Sequence, residues 1–461
     1  MLNKTMLAFA ASAALAALLT AAWFWHAREA APPAETAAAP AGSELARPDV
    51  RRYDAEYPFM AYSSAPRSDA IARLEQRLAD GEATLRFDPE RGGYLGSLLE
   101  ALGIDVSSQM LVFSKTSLQV ENITAKHPRA IYFGDDVYVA WVRGGSIEIG
   151  AMDDALGPVF YTLEQNDRAP AAFEPQGEQC LRCHDGYSLS GGGVPRFITG
   201  SGYVNAAGAL VSHEGWILTD DTTPLRFRWG GWYVTGLHGD QVHLGNIVVK
   251  SPDSLQDLES LRVGNLADLD GLLDTSQYLT DKSDIVALMV LEQQVHVQNV
   301  LTRVTWDTRK ALEETGDASG AGFDEKIAEI AEPLVEALFL VGEPALTDPI
   351  TGTSGFTDVF EARGPSDAQG RSLRELDLET RLFKYPLSYV IYSKAFDALP
   401  KPAKAYVEMR VVAILNGTDE SEKFAALTES ERTAIREILA QTKPDFARAL
   451  ALAGTAARAD P

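Results

Sequence analysis

Cys180-Leu181-Arg182-Cys183-His184 is the feature that most restricts what this chain can be. Two thiols three positions apart, followed directly by an imidazole, form the CxxCH attachment signature of c-type haem. The spacing follows from the chemistry. The thiols add to the two vinyl groups of one haem as thioethers, and the next residue, His184, lies under the iron as an axial ligand. With two cysteines and seven histidines in 461 residues, chance yields this arrangement on the order of once in 30,000 such chains. The same cysteines would also serve a surface disulfide, a thioredoxin-like pair or a zinc site. The redox pair expects a βαβ context, and zinc would have to recruit two more ligands from scattered histidines. Two cysteines are what one haem c requires, and none is left for a second haem. One covalently attached haem c is therefore the expected cofactor, bound by Cys180 and Cys183.

Covalent attachment of haem takes place outside the bacterial cytoplasm, and the N-terminus fits that. Lys4 precedes an apolar run from Met6 to Trp25 with no charge in it. A basic start followed by an apolar stretch is an export signal. The run is long for a cleaved signal and long enough to cross a bilayer, and Trp23-Phe24-Trp25 suits the interface. Residues 1–29 thus read as signal or anchor, and 30–50 as an Ala/Pro-rich linker. The expected location is the periplasmic side, anchored to the inner membrane through residues 6–25. Cleavage, for instance near Ala37-Ala38-Ala39, would instead give a soluble periplasmic protein.

Charge narrows the partners. The chain has 41 Lys+Arg against 65 Asp+Glu, a net charge of −24. Nucleic acid needs a basic face and is excluded as a main partner. A redox partner with a basic face is the complementary expectation.

The body divides by pattern. Short β-like runs (Met110–Phe113, Ala130–Phe133, Val137–Val142, Ser146–Ile149, Val159–Leu163) follow a helical segment over Asp69–Leu78. The Gly- and Pro-rich stretch from Glu174 to Gly200 reads as loop or short helix. Further β-like runs are Ala209–Leu218, Leu225–Val234 and Ile247–Val249. From Ser251 the spacing is helical, most clearly over Ser283–Leu312, then Lys326–Leu340, Tyr385–Ala398, Ala403–Asn416 and Ser430–Gln441. The expected fold is α+β, with a β-rich haem-bearing domain over 51–250 and a helical domain over 251–461.

The second axial ligand decides between electron transfer and catalysis. No methionine lies between His184 and Met289, whereas His213, His238 and His243 follow the motif. His243 and His238 are the first candidates as iron ligands. Arg228 and Trp229, in Arg226-Phe227-Arg228-Trp229-Gly230-Gly231-Trp232-Tyr233, offer a guanidinium for propionates and a ring for the porphyrin face, although core packing explains such aromatics equally well. Met289, Glu292, His296, Asn299 and Arg303 share one helix face. That stripe meets either solvent or a polar cavity, and in the second case Met289 or His296 is a further distal candidate.

These residues resemble a family of bacterial exported proteins that carry a cytochrome c domain and have no assigned reaction. The resemblance rests on Val159-Phe160-Tyr161-Thr162-Leu163, Cys180–His184, Arg228-Trp229-Gly230-Gly231-Trp232-Tyr233-Val234-Thr235-Gly236, His238-Gly239 and His243-Leu244-Gly245-Asn246. It extends through Met289–Arg303 and Tyr385–Pro400, most of the body. It implies bound haem c and export. Relatives carry histidines in the long helix where this chain has Gln293 and Gln298, whereas His238 and His243 match. The expected role is that of an exported monohaem cytochrome in electron transfer. The alternatives are a haem c enzyme (peroxidase-like or another small-molecule oxidoreductase) and a haem-based sensor. The enzyme is kept in view by a body much larger than the ~100 residues one core needs.

Overall fold

Alternating apolar residues between glycine- and aspartate-rich turns build the first half of the body. In the computed structural model, which describes residues 56–450 except 57, 169, 187–192, 212–214, 252–260, 317–319 and 420, these runs form a six-stranded antiparallel meander. Its strands are β1 (Met110–Val112), β2 (Arg129–Phe133), β3 (Val137–Trp141), β4 (Ile147–Asp153), β5 (Gly157–Leu163) and β6 (Phe173–Pro175), paired in chain order. The leader, the linker and His213 lie outside the described residues. Among the described residues no helix is long and apolar enough to cross a membrane.

Register aligns Tyr138, Gly150 and Phe160 in one row across β3, β4 and β5. Gly150 has a packing reason: a Cβ there would lie 3.0 Å from the Phe197 ring, which crosses the row. The next row on the same face carries Glu148 and Thr162. Helix α1 (Ala70–Ala79) belongs to the opposite face. Its cap, Asp69, accepts a hydrogen bond from Tyr161 at 2.6 Å as well as from the backbone of Ile71. Helix α2 (Leu95–Leu102) packs beside it.

After β6 the chain makes one short helix, α3 (Glu178–His184), and then irregular backbone with the small strands β7 (Gly200–Gly202), β8 (Val204–Asn205), β9 (Trp216–Leu218) and β10 (Val248–Val249). The segment 225–234 was expected to be a strand and is not. It is a 3-10 turn followed by a tight loop, with Trp229 at φ 67° and Gly231 at φ 87°. Close approach explains this: a Cβ on Gly230 would sit 2.6 Å from the Gly202 carbonyl oxygen. Among the described residues of the run 209–218, named strand is found at its end, in β9.

The second half is helical, as its periodicity predicts. Helix α4 (Ile285–Thr315) is 31 residues long, capped by the Asp284 side chain and ended by Gly316 at φ 64°. It packs on β5 and on α5 (Ala321–Leu338), then come α6 (Phe356–Glu361), α7 (Lys394–Asp397), α8 (Lys401–Leu415) and α9 (Glu429–Thr442). The helix expected over 385–398 is a 3-10 turn (Tyr389–Tyr392) and then α7, because Ser388 and Ser393 each cap a new start. The fold is α+β, strands first and helices second. Across the boundary expected near 250, sheet and helices share one hydrophobic core, and the described residues fall in one compact unit.

Candidate functional site

Helix α3 is short and carries the whole motif. Its positions split by exposure: Leu181 is buried in the core, Cys180 is half-buried, and Arg182 and Cys183 face outward. Both thiols are free. Burial, then the Glu148 carboxylate, pushes the Cys180 thiol up to about 12. A thiol so reluctant to ionise is a poor exchanging nucleophile or zinc ligand, both of which need thiolate.

His184, the last residue of α3, is held in one orientation. Its Nδ1 lies 2.7 Å from the Arg196 carbonyl oxygen. A carbonyl only accepts, so Nδ1 carries the proton and Nε2 keeps its lone pair. This is the tautomer of an axial imidazole ligand, fixed by a second hydrogen bond as metal-bound histidines usually are. The Arg196 N–H returns a bond to the His184 carbonyl at 2.9 Å. The Phe160 ring backs the imidazole at 4.4 Å between centroids. Burial holds the ring's pKa down at about 4, so it stays neutral, with the Nε2 lone pair unprotonated, at neutral pH.

Beneath the motif the sheet places one charged pair. Arg129 on β2 and Glu148 on β4 lie 3.4 Å apart, both largely buried, and Glu148 also accepts from Ser117 at 2.9 Å. Arg129 Nε has no hydrogen-bond partner among the described residues. Their charges act on His184, and that of Glu148 on Cys180. Sequence reading missed this pair, because its members are 19 residues apart and each looks like an ordinary strand-surface charge.

The structure places the other expected site residues elsewhere. Trp229, His243 and His238 meet edge to face in a row, with centroids 5.3 Å and 4.8 Å apart. His243 Nδ1 accepts the Gly245 N–H at 3.0 Å, which puts the proton of the neutral ring on Nε2. His238 has the opposite tautomer: Nδ1 donates to the Gln241 carbonyl at 2.7 Å, and Nε2 is buried without a partner among the described residues. Of the two, only His238 has a ligand's tautomer. His184 is surrounded by Phe160, Arg196, Arg129 and Glu148; His243 is surrounded by Trp229, His238 and Arg262. The two sets share no residue.

Arg228 meets the α4 stripe. It is buried, its NH1 lies 3.1 Å from Glu292 Oε2, and its remaining groups donate to the Thr223 and Asp221 carbonyls. Its guanidinium is thus committed inside the fold. One turn along α4, His296 Nδ1 donates to Asp221 Oδ1 at 2.6 Å. A further turn along, the Asn299 amide pairs with both backbone groups of Phe197, at 2.8 and 2.9 Å. The stripe is buried at Met289 and Glu292 and half-buried at His296, Asn299 and Arg303, so it meets polar groups of the fold at one end and partly solvent at the other. A cavity of about 310 Å³ adjoins it, lined among others by Arg226, Arg228, Met289, Glu343 and Leu346. Gln293 and Gln298 lie on another side of α4 in a buried network: Gln298 accepts from Tyr138 at 2.6 Å and Gln293 from Ser388 at 3.0 Å. Among the described residues no group of three or more His, Cys, Asp or Glu side chains is placed to hold a metal ion. No protein-family model, no curated protein and no solved structure matches the chain.

Proposed function

We propose that this chain is an exported c-type cytochrome with one haem, held by thioethers to Cys180 and Cys183 with His184 as axial ligand, and that it transfers electrons. The observation that carries this reading is the Nδ1–H bond from His184 to the Arg196 carbonyl at 2.7 Å. It leaves Nε2 with its lone pair, one residue beyond two free thiols on the same short helix. The bound group would supply one-electron chemistry. The chain's own residues attach it, orient the imidazole and place the Arg129–Glu148 pair beside it. Export rests on the apolar run 6–25 and on the compartment in which haem is attached, and the same run would anchor the protein to the inner membrane.

His238, with its unpartnered Nε2, is the better of the two expected distal ligands, although His184 and His238 have different surroundings. A second reading, a haem enzyme, is favoured by a specific observation: the buried Arg228–Glu292 and Asp221–His296 pairs beside a cavity. Visible and electron-spin-resonance spectra of the loaded protein separate the two. A low-spin ferric signal and a ferrous form indifferent to carbon monoxide support the carrier. A high-spin ferric signal with a carbon monoxide adduct supports the enzyme. A preparation with no haem spectrum overturns both.

A further inference from the structure

The polar face of α4 connects the haem motif to a buried carboxyl. His184 bonds the Arg196 carbonyl, and the next residue, Phe197, is clamped through its backbone by Asn299. Asn299, His296 and Glu292 stand on successive turns of α4, a rise of about 10 Å over seven residues. The Asp221 side chain takes the His296 proton donor, and the Asp221 carbonyl takes Arg228, whose NH1 meets Glu292. Hydrogen bonds and the α4 backbone between Asn299 and His296 thus connect His184 to Glu292.

Glu292 is the odd member. It is 2 % exposed, and Oε1 has no hydrogen-bond partner among the described residues. Thr219 Oγ1 and Trp229 Nε1 make no well-aligned hydrogen bond among the described residues, yet both lie close enough to act on the carboxyl. The Arg228 guanidinium, with weaker help from these two donors, stands against almost complete desolvation. Arg228, which meets Glu292, and Met289, one turn before it on α4, both line the cavity.

We propose that Glu292 is a proton-binding site coupled to reduction of the haem, so that electron transfer by this protein is linked to proton uptake. The proposal rests on the haem reading above. For each electron that a one-electron donor delivers to the iron, the Glu292 carboxylate takes up to one proton from solvent and becomes the neutral acid. On reoxidation it returns that proton. The lost positive charge at the iron favours the gained proton at Glu292, and the linkage is reciprocal. Burial, partly offset by Arg228, pushes the carboxyl up to about 7, which leaves it free to change state at neutral pH. The charged groups that face the cluster are Arg228, Asp220 and Asp221 from the loop after β9, His296 from α4, Glu343 from the loop after α5, Arg381 beside Glu343, and Arg196 beside His296. Glu343, raised to about 7 by burial, and His296, held above its ordinary value by Asp221 against the effect of burial, are rivals for the proton among the described residues.

The test is the pH dependence of the midpoint potential, measured on an electrode for the haem-loaded protein, Glu292→Gln and Glu343→Gln. The expected result is a potential that falls with rising pH around neutrality in the wild type and in Glu343→Gln, and is flat there in Glu292→Gln. The coupling should be about five- to tenfold in proton affinity between oxidation states. A flat wild-type profile, or loss of the slope in Glu343→Gln alone, overturns the proposal. Infrared titration of the haem-free wild type and of haem-free Glu343→Gln, labelled at glutamate with carbon-13, is independent of attachment. A protonated-carboxyl band that disappears near neutral pH is expected in both; its loss in Glu343→Gln, or titration of every wild-type glutamate in the ordinary range near 4, overturns the proposal even if haem is bound. Failure to bind haem with the infrared band present overturns the haem reading and leaves Glu292 as a proton site.

Discussion

At the scale of single residues, two buried groups pull the protein in opposite directions with pH. The neutral His184 ring has a folded pKa near 4 against about 6.5 unfolded. Its contribution is full above about pH 6.5 and is lost as pH falls towards 4. Glu292 has the reverse sign: about 7 folded against about 4.3 unfolded. Its contribution is full below about pH 4 and is lost as pH rises through 7. In the haem-free protein, Glu292→Gln should therefore gain stability over the wild type as pH rises, by on the order of 3 kcal/mol between pH 4 and 8. Urea denaturation at the two pH values checks this; a difference that does not grow with pH contradicts it. Of this site the sequence shows the ligating types and little else. Cys180, Cys183 and His184 are legible because haem attachment demands them in that order. The Arg196 carbonyl that fixes His184 is a backbone group, and no residue type announces it. Arg228 and Trp229 looked like porphyrin contacts, because a sequence cannot show that the guanidinium is already spent on Glu292 and two carbonyls.

At the scale of elements, α4 holds the sheet, the cavity and the motif loop together. Its start depends on Asp284. One oxygen accepts from Val286 and Ala287, and the other accepts from Thr353, Ser354 and the Ser354 hydroxyl. Asp284→Ala removes a cap and strands buried donors from a second segment, so it should cost about 2–4 kcal/mol. Chemical denaturation reads this directly, and a loss below about 0.5 kcal/mol would show that the cap is not structural. The α4 helix was legible because thirty residues of 3.6-residue periodicity outweigh local ambiguity. Strands β1 to β5 were legible as short apolar runs between turn residues, whereas β6 falls mostly in the stretch from Glu174 that reads as loop or short helix. The segment 225–234 was misread as strand because its aromatic and β-branched residues have strand propensity, whereas its glycines permit an approach to Gly202 that only tertiary structure reveals. Gly157 is another such position: with φ at 79° and Thr302 2.2 Å from a Cβ built there, Gly157→Ala should loosen the contact between β5 and α4 and lower the melting temperature. An unchanged melting temperature would contradict that packing.

At the scale of the whole molecule, sheet and helices bury their faces against each other in one core across the boundary read from pattern, beside a small cluster of Ala311, Phe323 and Ile327 within the helices. Denaturation followed by tryptophan fluorescence and by far-ultraviolet circular dichroism should give coincident transitions. Two separated transitions would restore the division near residue 250. The net charge of −24 gives this body a field that attracts a basic partner. Reduction by a cationic electron donor should slow as salt is raised, and insensitivity to ionic strength would remove the basic-partner proposal. The central claim is covalent haem at α3. Its most direct measurement is the intact mass of the protein matured in an exporting host and extracted with acid acetone. The account predicts the polypeptide plus one haem, lost when Cys180 and Cys183 are both replaced by alanine. An unmodified polypeptide mass from a host that attaches haem to other c-type cytochromes would contradict it.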